Sequence, residues 1–532
     1  MIIVRNVKVP LGADFSVLKI LFERCTDTQL QKDSTVRLFK KSVDARKKND
    51  VYILCAFTVE AKNESELLKR LKRFGAENYT EPQYRYKKCA RTDTRPIVIG
   101  FGPAGIFAAL SLARAGLCPI VLERGRDADS RKRDVDRFFL DGTLDTESNI
   151  QFGEGGAGTF SDGKLNTGIK DARIREVLKV FAAHGAGDRI LYDAKPHIGT
   201  DVLINIVKSI RREIISLGGE VLFEHKAVGF LTENGVLSGI EVRSRDKDIV
   251  LLCRYAVLAP GHSARDMFLR LKEQGIEMEP KPFAVGARIE HKRSLIDRAQ
   301  YGDFAENVSL GAADYKLACH LKNGRGVFTF CMCPGGVVVN AASESGTAVT
   351  NGMSYSRRDG ENSNAALLVG VGVEDYYRSD VLDGMYFQRE IEQRAFSVGN
   401  GVTVSQTVGD FLEKRPSTAC SEVLPTVKPG TAFGDMESVL PDFITEAMRE
   451  GIVLLDRKLK GFADSGALLT APETRSSSPV RILRNGIGES SLKGLYPCGE
   501  GAGYAGGITS AAVDGLKTAE LIIDELVSKS AF

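Results

Sequence analysis

The chain has 532 residues, more than one hydrophobic core usually holds and enough for two or three domains. Net charge is only +3, but residues 1–95 hold 21 Lys and Arg against 12 Asp and Glu, a net +9 that leaves −6 for the remainder and marks a separate N-terminal module. Ten cysteines, mostly single and inside apolar runs as Cys55, Cys118 and Cys253 are, argue against a secreted disulfide framework. The start lacks the pattern of a signal peptide, and no stretch reaches the ~18 apolar residues of a membrane span, so the expectation is a soluble, cytoplasmic protein.

Residues 1–90 read as strand, helix, strand, strand, helix. A strand begins at Ile2, and a helix over 15–25 follows Asp14 as its N-cap, with Val17, Leu18, Leu21 and Phe22 on one face. Two strands over 36–43 and 51–59 flank the basic loop 46–50, and a second amphipathic helix over 65–74 ends at Gly75. This is an N-terminal α+β domain, ferredoxin-like with one strand unplaced. Its positive charge could hold nucleic acid. No aromatic platform is interleaved with the basic residues, so a solvated surface that docks on the acidic remainder is the preferred reading. Residues 81–95 read as the linker.

The run Ile97, Val98, Ile99 is a buried parallel strand, and Gly100, Gly102 and Gly105 then follow G-x-G-x-x-G. The first glycine permits the turn, the second lets a pyrophosphate approach the backbone, and the third lets the helix pack on the strand. Pro103 and Ala104 open that helix, whose N-terminal amides and dipole suit the pyrophosphate, and Gly116 ends it. The next strand, 118–122, ends at Glu123, placed to take ribose hydroxyls, with Arg124 beside it. A very polar stretch runs to Asp136. The loop 151–163 then carries five glycines, among them Gly155 and Gly156, framed by Phe152 and Phe160, which reads as a loop against cofactor or substrate.

Helices over 174–184 and 202–217 lead into a β-rich stretch to Leu252 and a buried strand ending at Gly261-His262. That histidine is read either as facing a ligand or as capping the turn. Residues 281–430 fit a β-rich substrate domain inserted between two parts of the nucleotide fold. Within it, alternation puts Phe328, Phe330 and Met332 on a core face and Thr329, Cys331 and Cys333 on the other. Two residues of extended strand separate the Cys331 and Cys333 Cα atoms by about 6.6 Å, at the upper limit for a disulfide. The preferred reading is two small side chains lining a cavity; a redox pair is the minority reading. Six scattered histidines give no metal-ligand spacing, so no metal is expected.

The polar loop 474–481 carries Arg475 and Arg481, suited to an anionic substrate or to phosphates. After it come a strand, Gly499, Glu500, a glycine-rich turn through Gly506, Gly507 and Ile508, and a helix. The chain ends before a second strand-helix-strand unit could form.

The two ends together resemble the FAD-binding fold of the glutathione-reductase and hydroxybenzoate-hydroxylase type. The resemblance implies that the first glycine loop holds the ADP part, that Glu500 meets the ribityl chain, and that the helix start at Gly506, Gly507 and Ile508 lies beneath the isoalloxazine. More closely, the chain is similar to the FAD-dependent dehydrogenase (NAD(P)/FAD-dependent oxidoreductase) family of bacteria and plastids. The similarity rests on residues 42–46, 153–167, 260–266, 331–336 and 475–481. It implies a Rossmann-type FAD-binding domain with three ββα layers, built from residues 91–280 and 431–532, an N-terminal α+β domain and a family-specific domain, and no particular substrate.

The leading expectation is an α/β, FAD-dependent oxidoreductase that passes hydride through flavin N5 between transiently bound NADH or NADPH and a small molecule. Cys331 and Cys333 are the candidate proton donors and Arg475 the anion anchor. A flavoprotein acting on RNA through the basic module and a non-catalytic redox-sensing flavoprotein stay open. The sequence does not set an oligomeric state.

Overall fold

A computed structural model describes residues 1–89, 94–245 and 247–530. Residues 90–93 of the expected linker therefore lie outside the described residues.

The N-terminal sheet has the order Thr35–Asp44, Tyr52–Glu60, Ile2–Val9, Glu77–Asn78, all antiparallel. The last of these is the strand that the sequence left unplaced. The first helix is Leu18–Thr26, starting later than its pattern suggested, because Asp14 accepts the Ser16 N–H (2.8 Å) and closes a turn before the helix begins. Part of the basic hairpin does dock: Lys48 donates to the Gln300 carbonyl, and Lys41 N–H donates to the Tyr192 carbonyl (2.7 Å) while its own carbonyl accepts from Ala194 (2.8 Å). The edge strand Thr35–Asp44 is thereby partly paired instead of standing open.

The centre of the chain is a five-stranded parallel sheet in the order Leu495–Pro497, Ala256–Leu258, Ile97–Ile99, Ile120–Leu122, Glu220–Leu222. Alternation sends Val98, Val121, Val257 and Tyr496 into a core shared with the helices Pro103–Ala115, Thr200–Ser216 and Ile508–Ser530. It sends Ile97, Ile99, Leu122 and Leu258 the other way, against Phe230, Leu237 and Ile240 of a three-stranded antiparallel sheet. The result is three layers: sheet, sheet, helices. Gly515 lets the helix Ile508–Ser530 press on the helix Pro103–Ala115, since a Cβ there would lie 2.2 Å from the Ala104 carbonyl.

The polar stretch after Arg124 is a helix, Ala128–Asp141, where none was expected. Asp127 caps it by accepting the Asp129 and Ser130 N–H groups at 3.1 and 3.2 Å. Most of its polar residues face solvent, but Arg131 is wholly buried and donates to the carbonyls of Asn149, Ile150, Gly153 and Glu154 at 2.7–3.3 Å, so it shapes the glycine-rich loop. Part of that loop, Gly156–Phe160, is a short 3-10 turn.

A seven-stranded sheet takes its strands from Phe283 to Glu473, including Thr431–Phe433 and Leu468–Glu473 beyond residue 430. Val285, Ala287 and Ile289 face the helix Asp442–Asp456 in one large core, which leaves Ala284, Arg288 and Glu290 on the opposite face. The strand Gly326–Cys333 corrects the expected alternation: Val327 and Met332 join the helix-covered core, while Phe328 packs on the other face and Phe330 is 41% exposed. The reason is a bulge. The pairing with Asn362–Val371 slips between Phe330 and Cys333, and Cys331 sits at φ +40° as the extra residue.

Candidate cofactor and active site

One cleft of about 610 Å³ runs from the parallel sheet to the seven-stranded sheet. Its floor is the glycine loop. Gly100 has φ +92°, and a Cβ there would lie 2.2 Å from the Ala259 carbonyl. Gly102 precedes the helix Pro103–Ala115, which has proline in its first turn and Gly116 at φ +99° as its C-cap. Against Gly102 stands Gly156, where a Cβ would come within 2.8 Å of the Gly102 Cα, and Gly125 meets Gly153 in the same way at 2.6 Å. The two loops can approach only as bare backbone.

Gly100, Gly102, Pro103, Ala104, Glu123, Arg124, Gly156, Glu500, Gly506, Gly507 and Ile508 all line this cleft, with Cys331 and Arg475. Gly105, Gly155, Gly499 and Cys333 lie behind the lining. Gly105 packs beneath the Gly100 carbonyl, Gly155 beside Thr159, and Gly499 against the Ala104 side chain.

One expected role gains a second part and another changes. Glu123 is 4% exposed, and its carboxylate accepts the N–H groups of Phe101, Gly125 and Gly153, each at 2.9 Å. It therefore ties the glycine loop to the loop at 153; Oε2, with one donor, keeps acceptor capacity towards the cleft. Arg475 is not a free anion anchor. Its Nε and one terminal nitrogen grip Glu392 (3.1 and 2.8 Å) and the other donates to Ser343 (2.5 Å). Arg265 grips the same Glu392 at 2.7 and 2.8 Å, so the pair braces the cleft wall. Burial pushes the Glu392 carboxyl up, but Arg265 and Arg475 outweigh it and hold the group well below the usual range.

Arg124 stacks 4.1 Å over the Phe152 ring and binds Asp266 in bidentate fashion (2.9 and 3.1 Å). Lys226 pairs with the same carboxylate at 2.5 Å, and burial notwithstanding, these cations hold Asp266 at about 2. At the other end, burial pushes Glu500 up to about 7, against the opposing pull of the Gly507 amide. His262 Nδ1 lies 3.9 Å from Glu500 Oε1, and its Nε2 is buried without a protein partner among the described residues. Burial, then the nearby Arg475 and Arg265, push this imidazole down to about 3, so it faces the cleft neutral.

Behind Cys331 stands a group that the sequence reading missed. Arg288, wholly buried, gives two N–H groups to Glu473 (2.7 and 2.8 Å) and the others to the Cys331 carbonyl (2.8 Å), Asn351 (3.1 Å) and Asn364 (3.1 Å). The sequence signal was available: an arginine directly after the apolar run 283–287, on the face opposite Val285, Ala287 and Ile289. Gly352 makes room for this cluster, since a Cβ there would lie 2.4 Å from Arg288 and 2.7 Å from Cys333 Sγ. Lys164, directly after the loop marked by its glycines, donates to the Met332 carbonyl.

The donor set and shape suit a dinucleotide: a cleft of the right size, glycines where any side chain would fill the space, and an open helix start at Gly506 and Gly507, where a Cβ would meet nothing within 4 Å. Residues 282–476 match the model of a family described as FAD-dependent protein, C-terminal domain-like. A Clostridium beijerinckii protein, described as an uncharacterized protein, is 47% identical over 530 residues, spanning 98% of this chain and 98% of its own. The chain belongs to this family of FAD-dependent proteins.

Solved structures similar to this FAD-dependent protein include a geranylgeranyl bacteriochlorophyll reductase-like protein of Thermoplasma acidophilum, 12% identical with TM-score 0.35, covering 83% of this chain and 80% of that one. A Bacillus halodurans glycerol-3-phosphate dehydrogenase complexed with FAD is 11% identical with TM-score 0.34; 82% of this chain aligns, spanning 65% of that chain. No helix among the described residues of the FAD-dependent protein is long and apolar enough to cross a membrane.

Proposed function

We propose that the protein is a cytoplasmic FAD-dependent oxidoreductase. FAD would lie along the cleft and, when bound, would supply two-electron chemistry for hydride transfer between a transiently bound NADH or NADPH and an unsaturated or carbonyl-bearing small molecule. In this reading residues 91–280 and the segment after Glu473 form the Rossmann-type FAD-binding domain and 1–90 a ferredoxin-like domain, while the substrate domain, expected to end at 430, runs on to Glu473 because Thr431–Phe433 and Leu468–Glu473 are strands of its sheet.

The observation that carries the reading is the bare-backbone contact of Gly102 with Gly156 at the start of the helix Pro103–Ala115, in the same cleft as Gly506 and Gly507. Amides at the start of that helix would hold the pyrophosphate. Glu123 would keep the two glycine loops in register and offer its remaining acceptor to the ribose, with Arg124 and Phe152 as the adjoining wall. The positive end of the helix Ile508–Ser530 would stabilise negative charge developing nearby. Glu500, at about 7, is suited to hold a proton near neutral pH, while His262 beside it stays neutral and offers hydrogen bonds only.

The test is an anaerobic half-reaction: the purified yellow protein is mixed with NADH or NADPH and its visible absorbance followed. Rapid bleaching by one of them is the expected result. Tightly bound FAD that neither donor bleaches would remove the nicotinamide step.

A further inference from the structure

Cys331 and Cys333 have unlike surroundings at one spot in the cleft. Cys331 is half-buried and lines the cleft, whereas Cys333 is wholly buried behind it. In a regular strand two such side chains would stand about 6.6 Å apart at Cα. The bulge changes that. With Cys331 at φ +40°, the ladder slips and the Cys333 thiol lies 3.3 Å from the Cys331 carbonyl, folded back on its neighbour instead of standing two residues along a regular strand. Arg288 pins the bulge through the Cys331 carbonyl at 2.8 Å and lies 4.0 Å from Cys333 Sγ. Its own clamp on Glu473 leaves it no freedom to swing away.

The Cys333 thiol hydrogen bond, then Arg288 and Lys164, hold the Cys331 thiol down at about 6, while the same hydrogen bond and burial push Cys333 well up. The charged and titratable groups facing the pair are Arg288, Glu473, Lys164, Asp162, Glu500 and Tyr315. A cleft-facing thiolate backed by a protonated thiol is the arrangement of an attacking and a resolving cysteine.

We propose that Cys331 and Cys333 are a redox-active pair that reduces a small disulfide admitted to the cleft. The Cys331 thiolate attacks one sulfur of the disulfide RSSR; the S–S bond breaks, RS⁻ leaves and a mixed disulfide forms on Cys331. The Cys333 thiol gives its proton to the first RS⁻, making RSH, and attacks the Cys331 sulfur. The mixed disulfide breaks, a second RS⁻ leaves, and the Cys331–Cys333 bond forms. The substrate disulfide has gained two electrons and the pair has lost two. Return of the pair to the dithiol takes two electrons from reduced FAD, and this last step alone rests on the proposed function.

The experiment uses the full-length holoprotein with glutathione disulfide as the probe. Expected results are two glutathione thiols released per chain, a Cys331–Cys333 cross-link in peptide mass mapping, and an adduct trapped on Cys331 in Cys333→Ser. Iodoacetamide is expected to label Cys331 of the reduced protein with a rate that rises through about pH 6. Anaerobic dithionite titration of the oxidised protein is expected to consume about four electrons per FAD, falling to about two in Cys333→Ser. No cross-link, no adduct and two electrons in both proteins would overturn the proposal while leaving the FAD reading intact. A chain that retains no FAD yet forms the cross-link and releases two thiols would instead overturn the FAD reading and keep the pair.

Discussion

Gly102 and Gly156 meet as backbone on backbone: a Cβ on Gly156 would lie 2.8 Å from the Gly102 Cα, and Gly156 holds φ +59°. The contact closes the glycine loop over the start of the helix Pro103–Ala115. Gly156→Ala is expected to push the loops apart and weaken FAD retention at least tenfold, or about 1.4 kcal/mol. Titration of the apoprotein with FAD, followed by flavin fluorescence, measures this; unchanged affinity would place the cofactor elsewhere.

Arg288 and Glu473 form a buried pair whose five N–H groups all have acceptors. Arg288→Met leaves the Glu473 carboxylate without its cation and is expected to cost about 3–5 kcal/mol. Urea unfolding of wild type and variant reads the difference. Arg288→Lys is expected to recover part of the stability, because an ammonium cannot replace the bidentate grip.

Glu392 carries the pH dependence of the cleft wall. Its folded carboxyl lies well below the unfolded value of 4.5, so its contribution is fully present above that value and is lost as pH falls below it. Between pH 7 and pH 3 the urea midpoint of wild type is expected to drop more steeply than that of Glu392→Gln. The variant is expected to start about 3 kcal/mol lower at pH 7, because Arg265 and Arg475 lose their shared partner.

Glu500 acts with the opposite sign. Its folded value of about 7 exceeds the unfolded 4.5, so as pH rises from 4.5 to 7 the unfolded chain loses a proton that the folded chain keeps. The apoprotein is expected to lose about 2 kcal/mol over that window, the side chain being 27% exposed. Glu500→Gln is expected to remove this slope while leaving the fold intact. A variant with the wild-type slope would refute the assignment.

The sequence by itself determined the elements whose shape depends on neighbours in the chain. The glycine loop at 100–105, the helix ended by Gly116 and the return at 499–508 are written in local turn chemistry and apolar periodicity, which need no distant partner. Tertiary structure decided what those residues touch. Glu123 is held by three amides, one of them from the loop at Gly153, and Arg475 is taken by Glu392, 83 residues away. The helix Ala128–Asp141 looked like loop because most of its side chains are polar and exposed, while the buried Arg131 that anchors it finds its acceptors 18–23 residues on. The bulge at Cys331 exists because the strand pairs out of step with Asn362–Val371 and is pinned by Arg288 from a third strand. Alternation is a property of one strand, but a bulge is a property of a pair, and so the side on which both thiols finally stand was settled only when the sheet assembled.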